Sequence, residues 1–273
     1  MPLTLGLQNT HVLVTGGAGL IGTAVVRAFL DEGAHVSSID VAAPPTPVPT
    51  AHYYAGDVTD EGSFEAAWAD AVRAGGPVAV CVALASLDLS VLPRHARATE
   101  TLSLAQFRRT LDVNVAGTWL AARAWLRGVR AGGERRNACL VVVGSESGRF
   151  GERGNPDYAS AKSAVQGGLV SSLAAEAGRE GVRVNAVAPG PVDTPRFKEE
   201  CKNDAEQLWL DAQATTGLAQ PVPMEAVANS ILFLASDNFS SHIHGQVLNV
   251  DSGKQGKLLW TKEQIEAHGS GQS

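Results

Sequence analysis

Short, almost unbroken apolar runs recur along this chain between longer amphipathic stretches, and this limits its fold more than any other feature. Leu140-Val141-Val142-Val143 is the plainest case. A strand with one wet face alternates apolar and polar residues. A continuously apolar strand must be covered on both faces, as in parallel sheets flanked by helices. Strands are expected at His11–Thr15, His35–Asp40, His52–Ala55, Pro77–Ala85, Ala138–Gly144, Val182–Ala188 and Gln246–Val250. Helices are expected at Gly22–Glu32, Ser63–Arg73, Leu104–Arg130, Asp157–Arg179 and Met224–Ala235, the third opening on a capping-box pair, Ser103 and Gln106. Strand–helix–strand repeated this often implies right-handed crossovers and an α/β, doubly wound parallel sheet. The expected organisation is one Rossmann-like dinucleotide-binding and catalytic domain over residues 1–253, followed by a polar extension over 254–273.

Composition narrows the function classes. The formal charge of −6, with Lys and Arg scattered, argues against a nucleic-acid partner or an anionic membrane surface. No apolar run reaches the roughly 18 residues of a membrane span. Met1 to Asn9 lacks the basic and apolar segments of a secretory signal. Cys81, Cys139 and Cys201 lie far apart, two of them in apolar runs, and read as buried or free thiols of a cytoplasmic protein. His242-x-His244 has no third ligand nearby, so no metal site is expected.

Two regions carry chemistry. Thr15-Gly16-Gly17-Ala18-Gly19-Leu20-Ile21-Gly22 follows the first strand and opens a helix. Glycines there let backbone amides approach a pyrophosphate, and the helix N-terminus offers unpaired N–H groups and the positive end of its dipole. The second strand ends at Asp40, where a carboxylate can accept the adenosine ribose hydroxyls and would repel a 2′-phosphate. No Lys or Arg follows within ten residues, so NAD is the expected cofactor rather than NADP. Asp57 and Val58, after the third strand, are a second candidate contact, for the adenine. The other region is Tyr158-Ala159-Ser160-Ala161-Lys162, which puts a phenol and an ammonium on one helix face. A free phenol titrates near ~10; a nearby lysine and the positive nicotinamide of the oxidised cofactor both favour the phenolate. Ser145 ends the fifth apolar run, at the sheet edge where ligands bind in open α/β folds. Asn114 is an amide inside an apolar helical stretch and needs hydrogen-bond partners there.

With these residues in this order, the chain resembles the single-domain branch of the short-chain dehydrogenase/reductase family from about His11 to Gly253. Asn185-Ala186-Val187-Ala188-Pro189-Gly190-Pro191-Val192-Asp193-Thr194 and Gly245 to Gly253 belong to the same pattern. The resemblance implies that Tyr158 is the general acid/base and that Ser145 hydrogen-bonds the reacting oxygen. Lys162 would bind the nicotinamide ribose and lower the tyrosine pKa, and Asn114 would hold a water in a proton relay leading to Lys162. Cofactor contacts are expected at Gly16, Gly19, Leu20, Ile21, Asp40, Asp57, Val58, Ala85, Tyr158, Lys162, Pro189, Val192 and Thr194. Two departures stand out. The family's third loop glycine falls at Leu20, with Gly19 in the spacing of the larger, sugar-nucleotide-modifying branch. Its Asn-Asn-Ala-Gly after the fourth strand is replaced by Ala83-Leu84-Ala85-Ser86.

The expected activity is NAD-dependent hydride transfer with a secondary alcohol or ketone. A sugar or polyol is favoured because the segment after the fifth strand carries Glu146, Arg149, Glu152, Arg153 and Asn155. A 3-oxoacyl reductase and a catalytically silent redox sensor are the alternatives. Trp119, Leu120 and Trp125, with the small residues Ala159, Ala161, Ala164, Gly167 and Gly168, point to subunit contacts, a homotetramer being favoured over a dimer. Leu258-Leu259-Trp260 is expected against a neighbouring subunit.

Overall fold

A computed structural model describes residues 3–132, 136–203 and 205–269. Seven strands form one sheet: β1 (His11–Thr15), β2 (His35–Asp40), β3 (His52–Ala55), β4 (Val80–Ala83), β5 (Cys139–Val143), β6 (Arg183–Pro189) and β7 (Val247–Val250). Every neighbouring pair is parallel, in the order β3-β2-β1-β4-β5-β6-β7. The chain runs outward from β1 to β3, then returns to lay β4 on the other side of β1. The loops after β1 and β4 therefore diverge and leave a crevice at the carboxyl ends of the strands.

The apolar runs are buried on both faces, as their composition demands. On one side Leu13, Ile39, Leu140 and Val142 pack under α2 (Glu61–Gly75), α3 (residues 104–132) and α4 (residues 156–177). On the other Val12, Val14, Val36 and Val141 pack under α1 (Leu20–Asp31) and, beyond a helix α5 at Pro195–Asn203, α6 (Met224–Ala235). Successive side chains of one strand thus feed two cores.

Both long helices contain a wide, π-helical turn, Asp112–Ala116 in α3 and Ala164–Leu169 in α4. Such turns displace side chains from the regular helical register and often mark functional segments; the first carries Asn114. Half of the expected capping box forms. Ser103 accepts from the Gln106 amide (3.1 Å), but the Gln106 side chain reaches Asp157 (3.4 Å) rather than the start of its own helix.

One expectation about exposed surface is corrected. Trp125 and Leu120 face the sheet; the Trp125 indole donates to the Ala79 carbonyl (2.9 Å), and only Trp119 of the three stays exposed. The apolar cluster of the tail is held in part by its own chain, with Leu258 left exposed. The Leu259 amide donates to Ala214 O (2.6 Å) and the Trp260 indole to Thr216 O (2.9 Å), while Lys262 of α7 (Lys262–Gly269) pairs with Glu206.

Candidate active site

The crevice is a cleft of about 1200 Å³ running from the glycine loop to the tail. That exceeds the ~300–1,000 Å³ of a typical single-ligand pocket and leaves room for a dinucleotide and a small substrate together. Gly16, Gly19, Leu20, Ile21, Asp40, Asp57, Val58, Ala85, Ser145, Tyr158, Lys162, Pro189, Val192 and Thr194 all line it. Asn114 stands behind the wall.

At the dinucleotide end the backbone dictates the shape. Gly16 has φ +75°, and a Cβ there would come within 2.7 Å of the Ala85 backbone; one at Gly22 would come within 2.2 Å of Gly16 O. Gly19 is different. It has ordinary φ (−73°) and a Cβ on it would meet nothing nearer than Gly16 O at 3.4 Å. The fold tolerates a side chain at Gly19, so the bare position serves something outside the chain, as a phosphate approaching the N-terminus of α1 would require. Asp40 accepts from the Ala18 amide (3.1 Å) and the Val41 amide (2.8 Å), so it braces the glycine loop as well as facing the cleft. The segment that departs from the family pattern has its own anchors: the Thr15 hydroxyl accepts from the Leu84 and Ala85 amides (3.1 and 3.2 Å). Farther on, the Asn114 amide accepts from Leu87 N (2.8 Å) and donates to Leu87 O (3.0 Å). Both ends of that buried amide are thereby satisfied, and the loop after β4 is pinned to the π-helical turn.

At the other end side chains dominate. Tyr158 and Lys162 share a face of α4, with Nζ 5.6 Å from the phenol ring centre. Lys162 donates to Val143 O (2.9 Å); burial pulls its ammonium down to about 8, with Asp88 opposing. Burial pushes the Tyr158 phenol above its ordinary value, the Ser145 hydrogen bond pulling the other way. In the protein alone desolvation outweighs the Ser145 hydrogen bond, so a phenolate needs the positive charge that an oxidised nicotinamide would add.

Gln166 is a site residue that the sequence reading missed. It is buried, and its Oε1 accepts from the Ser145 amide at 2.9 Å. Gly144 and Gly148 make room for it; a Cβ on either would come within 2.2 and 2.7 Å of the Gln166 side chain. The available signal was spacing, since Tyr158, Lys162 and Gln166 fall four residues apart along one helix face. Glu146 was named only for polarity, yet it lies inside the cleft beside Ser145, 3.5 Å from Lys254. Arg149 and Arg153 are exposed and do not line the cleft. Thr194 caps the helix that follows it, accepting from the Phe197 amide (3.0 Å). His244 has both ring nitrogens bonded to backbone, to Val184 N and Ala174 O. Among the described residues no three His, Cys, Asp or Glu side chains gather to hold a metal, and no helix is long and apolar enough to cross a membrane.

Residues 17–255 match a family model described as enoyl-(acyl carrier protein) reductase. The chain is 35% identical to cis-4-hydroxycyclohexanecarboxylate dehydrogenase of Sinomonas cyclohexanicum, over 88% of this chain and 94% of that one. It is 32% identical to galactitol 2-dehydrogenase of Rhizobium johnstonii, over 90% and 95%. The ligand-free aldohexose dehydrogenase of Thermoplasma acidophilum superposes with a TM-score of 0.81, over 95% and 99% of the two chains, at 24% identity, a likeness of fold. The fold, the cleft and these matches agree: the chain belongs to the short-chain dehydrogenase/reductase family of oxidoreductases acting on hydroxyl and keto groups.

Proposed function

We propose that the protein is an NAD-dependent dehydrogenase of secondary alcohols, with Tyr158 as its acid/base and a hydroxyl-rich compound as its substrate. The observation that carries this is the meeting of Ser145, Tyr158 and Lys162 at one end of a cleft whose other end is a glycine-lined helix N-terminus closed by Asp40. When bound, the nicotinamide supplies the hydride acceptor. Tyr158, as phenolate, takes the hydroxyl proton of the substrate while the carbinol C–H bond gives up its hydride, leaving a ketone. Ser145 donates a hydrogen bond to the same substrate oxygen and so holds it against the phenol. Lys162, fixed by Val143 O, would hold the nicotinamide ribose and lend positive charge to the phenolate. Gln166 is a positioning residue that fixes the Ser145 backbone; Asn114 fixes the Leu87 segment and would also hold the water of a proton relay leading to Lys162. Gly16, Gly19, Leu20 and Ile21 would cradle the pyrophosphate, Asp40 the adenosine ribose, Asp57, Val58 and Ala85 the adenine side, and Pro189, Val192 and Thr194 the nicotinamide.

The carboxylate of Asp40 supports NAD over NADP, since a 2′-phosphate would meet it directly. Galactitol 2-dehydrogenase among the relatives supports a polyol. The half-exposed Trp119 forms, with Leu111, Val115, Ala116 and Leu169, an apolar hollow on α3 and α4 that favours a homo-oligomer, a tetramer before a dimer. Cys81 and Cys139 are buried thiols raised by desolvation, which suits a cytoplasmic protein. The test is absorbance at 340 nm with polyols, simple alcohols, hydroxy acids and 3-oxoacyl esters, each with NAD and with NADP. Turnover led by an alcohol with NAD is expected. Dinucleotide binding without turnover would instead point to a redox sensor, and a preference for 3-oxoacyl esters to a reductase of that class.

A further inference from the structure

Glu146 follows Ser145 directly and is turned into the cleft by the local backbone, its amide donating to Pro189 O at 2.8 Å. Its side chain is only 16% exposed, and among the described residues its carboxylate has one partner, Lys254 at 3.5 Å. Among the described residues Oε2 makes no hydrogen bond. Lys254 is better satisfied, donating to Asp211 O at 2.7 Å. Were Glu146 present only to anchor the tail, a close ion pair would be expected. A covered carboxylate so poorly partnered is costly to a fold, and in a cleft it is an acceptor awaiting a donor. Burial pushes the Glu146 carboxyl up to about 7 against Lys254, with Asp251 and Asp211 adding to the rise. Tyr158 also faces it, and Glu152 and Asp88 reach the same phenol. A second negative charge brought in by a substrate would therefore be repelled beside the reacting carbon. A hydroxyl would be welcome, whether Glu146 is ionised or not.

We propose that Glu146 is a specificity-determining residue: its carboxyl group, backed by Lys254, bonds a second hydroxyl next to the carbon that gives up hydride. This selects vicinal diols and polyols over simple alcohols and hydroxy acids. It rests on the oxidoreductase reading above and goes further by assigning the substrate class to one residue.

The full-length protein and its Glu146→Leu and Glu146→Gln variants are assayed with NAD on cyclohexane-1,2-diol, cyclohexanol and 2-hydroxycyclohexanecarboxylate. Loss of a hydrogen bond to a charged acceptor corresponds to about 10- to 100-fold. Glu146→Leu should lower kcat/KM for the diol by that factor relative to cyclohexanol, mainly through KM. Glu146→Gln, which keeps the shape of the site if Leu perturbs folding, should give a smaller loss on the diol. It should also raise kcat/KM on the hydroxy acid by relieving repulsion. Equal losses on diol and cyclohexanol, or none on either, would overturn the assignment while leaving the oxidoreductase reading intact. Failure of the wild type to oxidise any of the three would strike both.

Discussion

The two ends of the cleft are built by different means. The dinucleotide end is shaped by main chain: a left-handed glycine at Gly16, a bare Gly19, the open N-terminus of α1, and Asp40 bracing the Ala18 amide. The substrate end is made of side chains brought from the loop after β5, α4 and the tail beyond β7. Ser145, Tyr158, Lys162, Gln166, Glu146 and Lys254 come from segments that meet only when the sheet is complete. A site made of backbone should depend little on most single side chains. A site made of side chains should be lost or redirected by one.

That contrast sets the expected order of effects. Tyr158→Phe keeps the ring and removes the proton-carrying oxygen, so kcat should fall by about 10²–10⁴-fold while NADH binding, read by fluorescence titration, stays within a few-fold. Loss of both together would erase the distinction between the ends. Next comes the buried carboxyl. Glu146 is raised from 4.5 to about 7 in the folded protein, chiefly by desolvation. Between these values the unfolded chain sheds this proton first, so the group contributes falling stability as pH rises from about 4.5 to 7 and a constant penalty above. If the whole rise is realised the penalty is roughly 3 kcal/mol. The Tm of Glu146→Gln relative to wild type should therefore increase between pH 5 and pH 8; a difference independent of pH would contradict the buried, poorly partnered carboxyl. Gly19→Ala sharpens the comparison from the other side. The protein should melt like the wild type, because a Cβ fits the free chain, while its Kd for NADH weakens about tenfold through loss of close phosphate approach. An unchanged Kd would mean the phosphates do not pass there. Smallest is Asp40→Ala, expected to weaken NAD by about fivefold and to narrow its advantage over NADP, since one hydrogen-bonding side chain is lost from a site held mainly by backbone. A wild type that already prefers NADP would refute the assigned role.

The same contrast explains what could be read in the sequence. Local signals sufficed for the strands, because residues such as Val141 and Val142 feed opposite cores from one apolar run. They sufficed too for the glycine loop and for the Tyr158–Lys162 spacing. Contacts between distant segments left no such signal. Glu146 and Lys254 are joined only by the path of the chain after β7, and Asn114 meets Leu87 only because a π-helical turn faces the loop after β4. Trp125 and Trp119 look alike in sequence, but the twist of α3 turns one into the core and leaves the other outside. The tail cluster Leu258-Leu259-Trp260 read as a contact with a neighbouring subunit, because its anchors on this chain, Ala214 and Thr216, lie more than forty residues earlier and leave no local signal.

The central claim is that a hydride passes from a substrate carbinol carbon to a dinucleotide held in this cleft, with Tyr158 taking the proton. The most direct measurement uses cyclohexane-1,2-diol deuterated at both carbinol carbons, with NAD and the wild-type protein, followed by mass spectrometry of the reduced dinucleotide. One deuterium in each reduced dinucleotide, and none formed with Tyr158→Phe on the same timescale, is the predicted result. Unlabelled reduced dinucleotide, or labelled product at an undiminished rate from Tyr158→Phe, would contradict it.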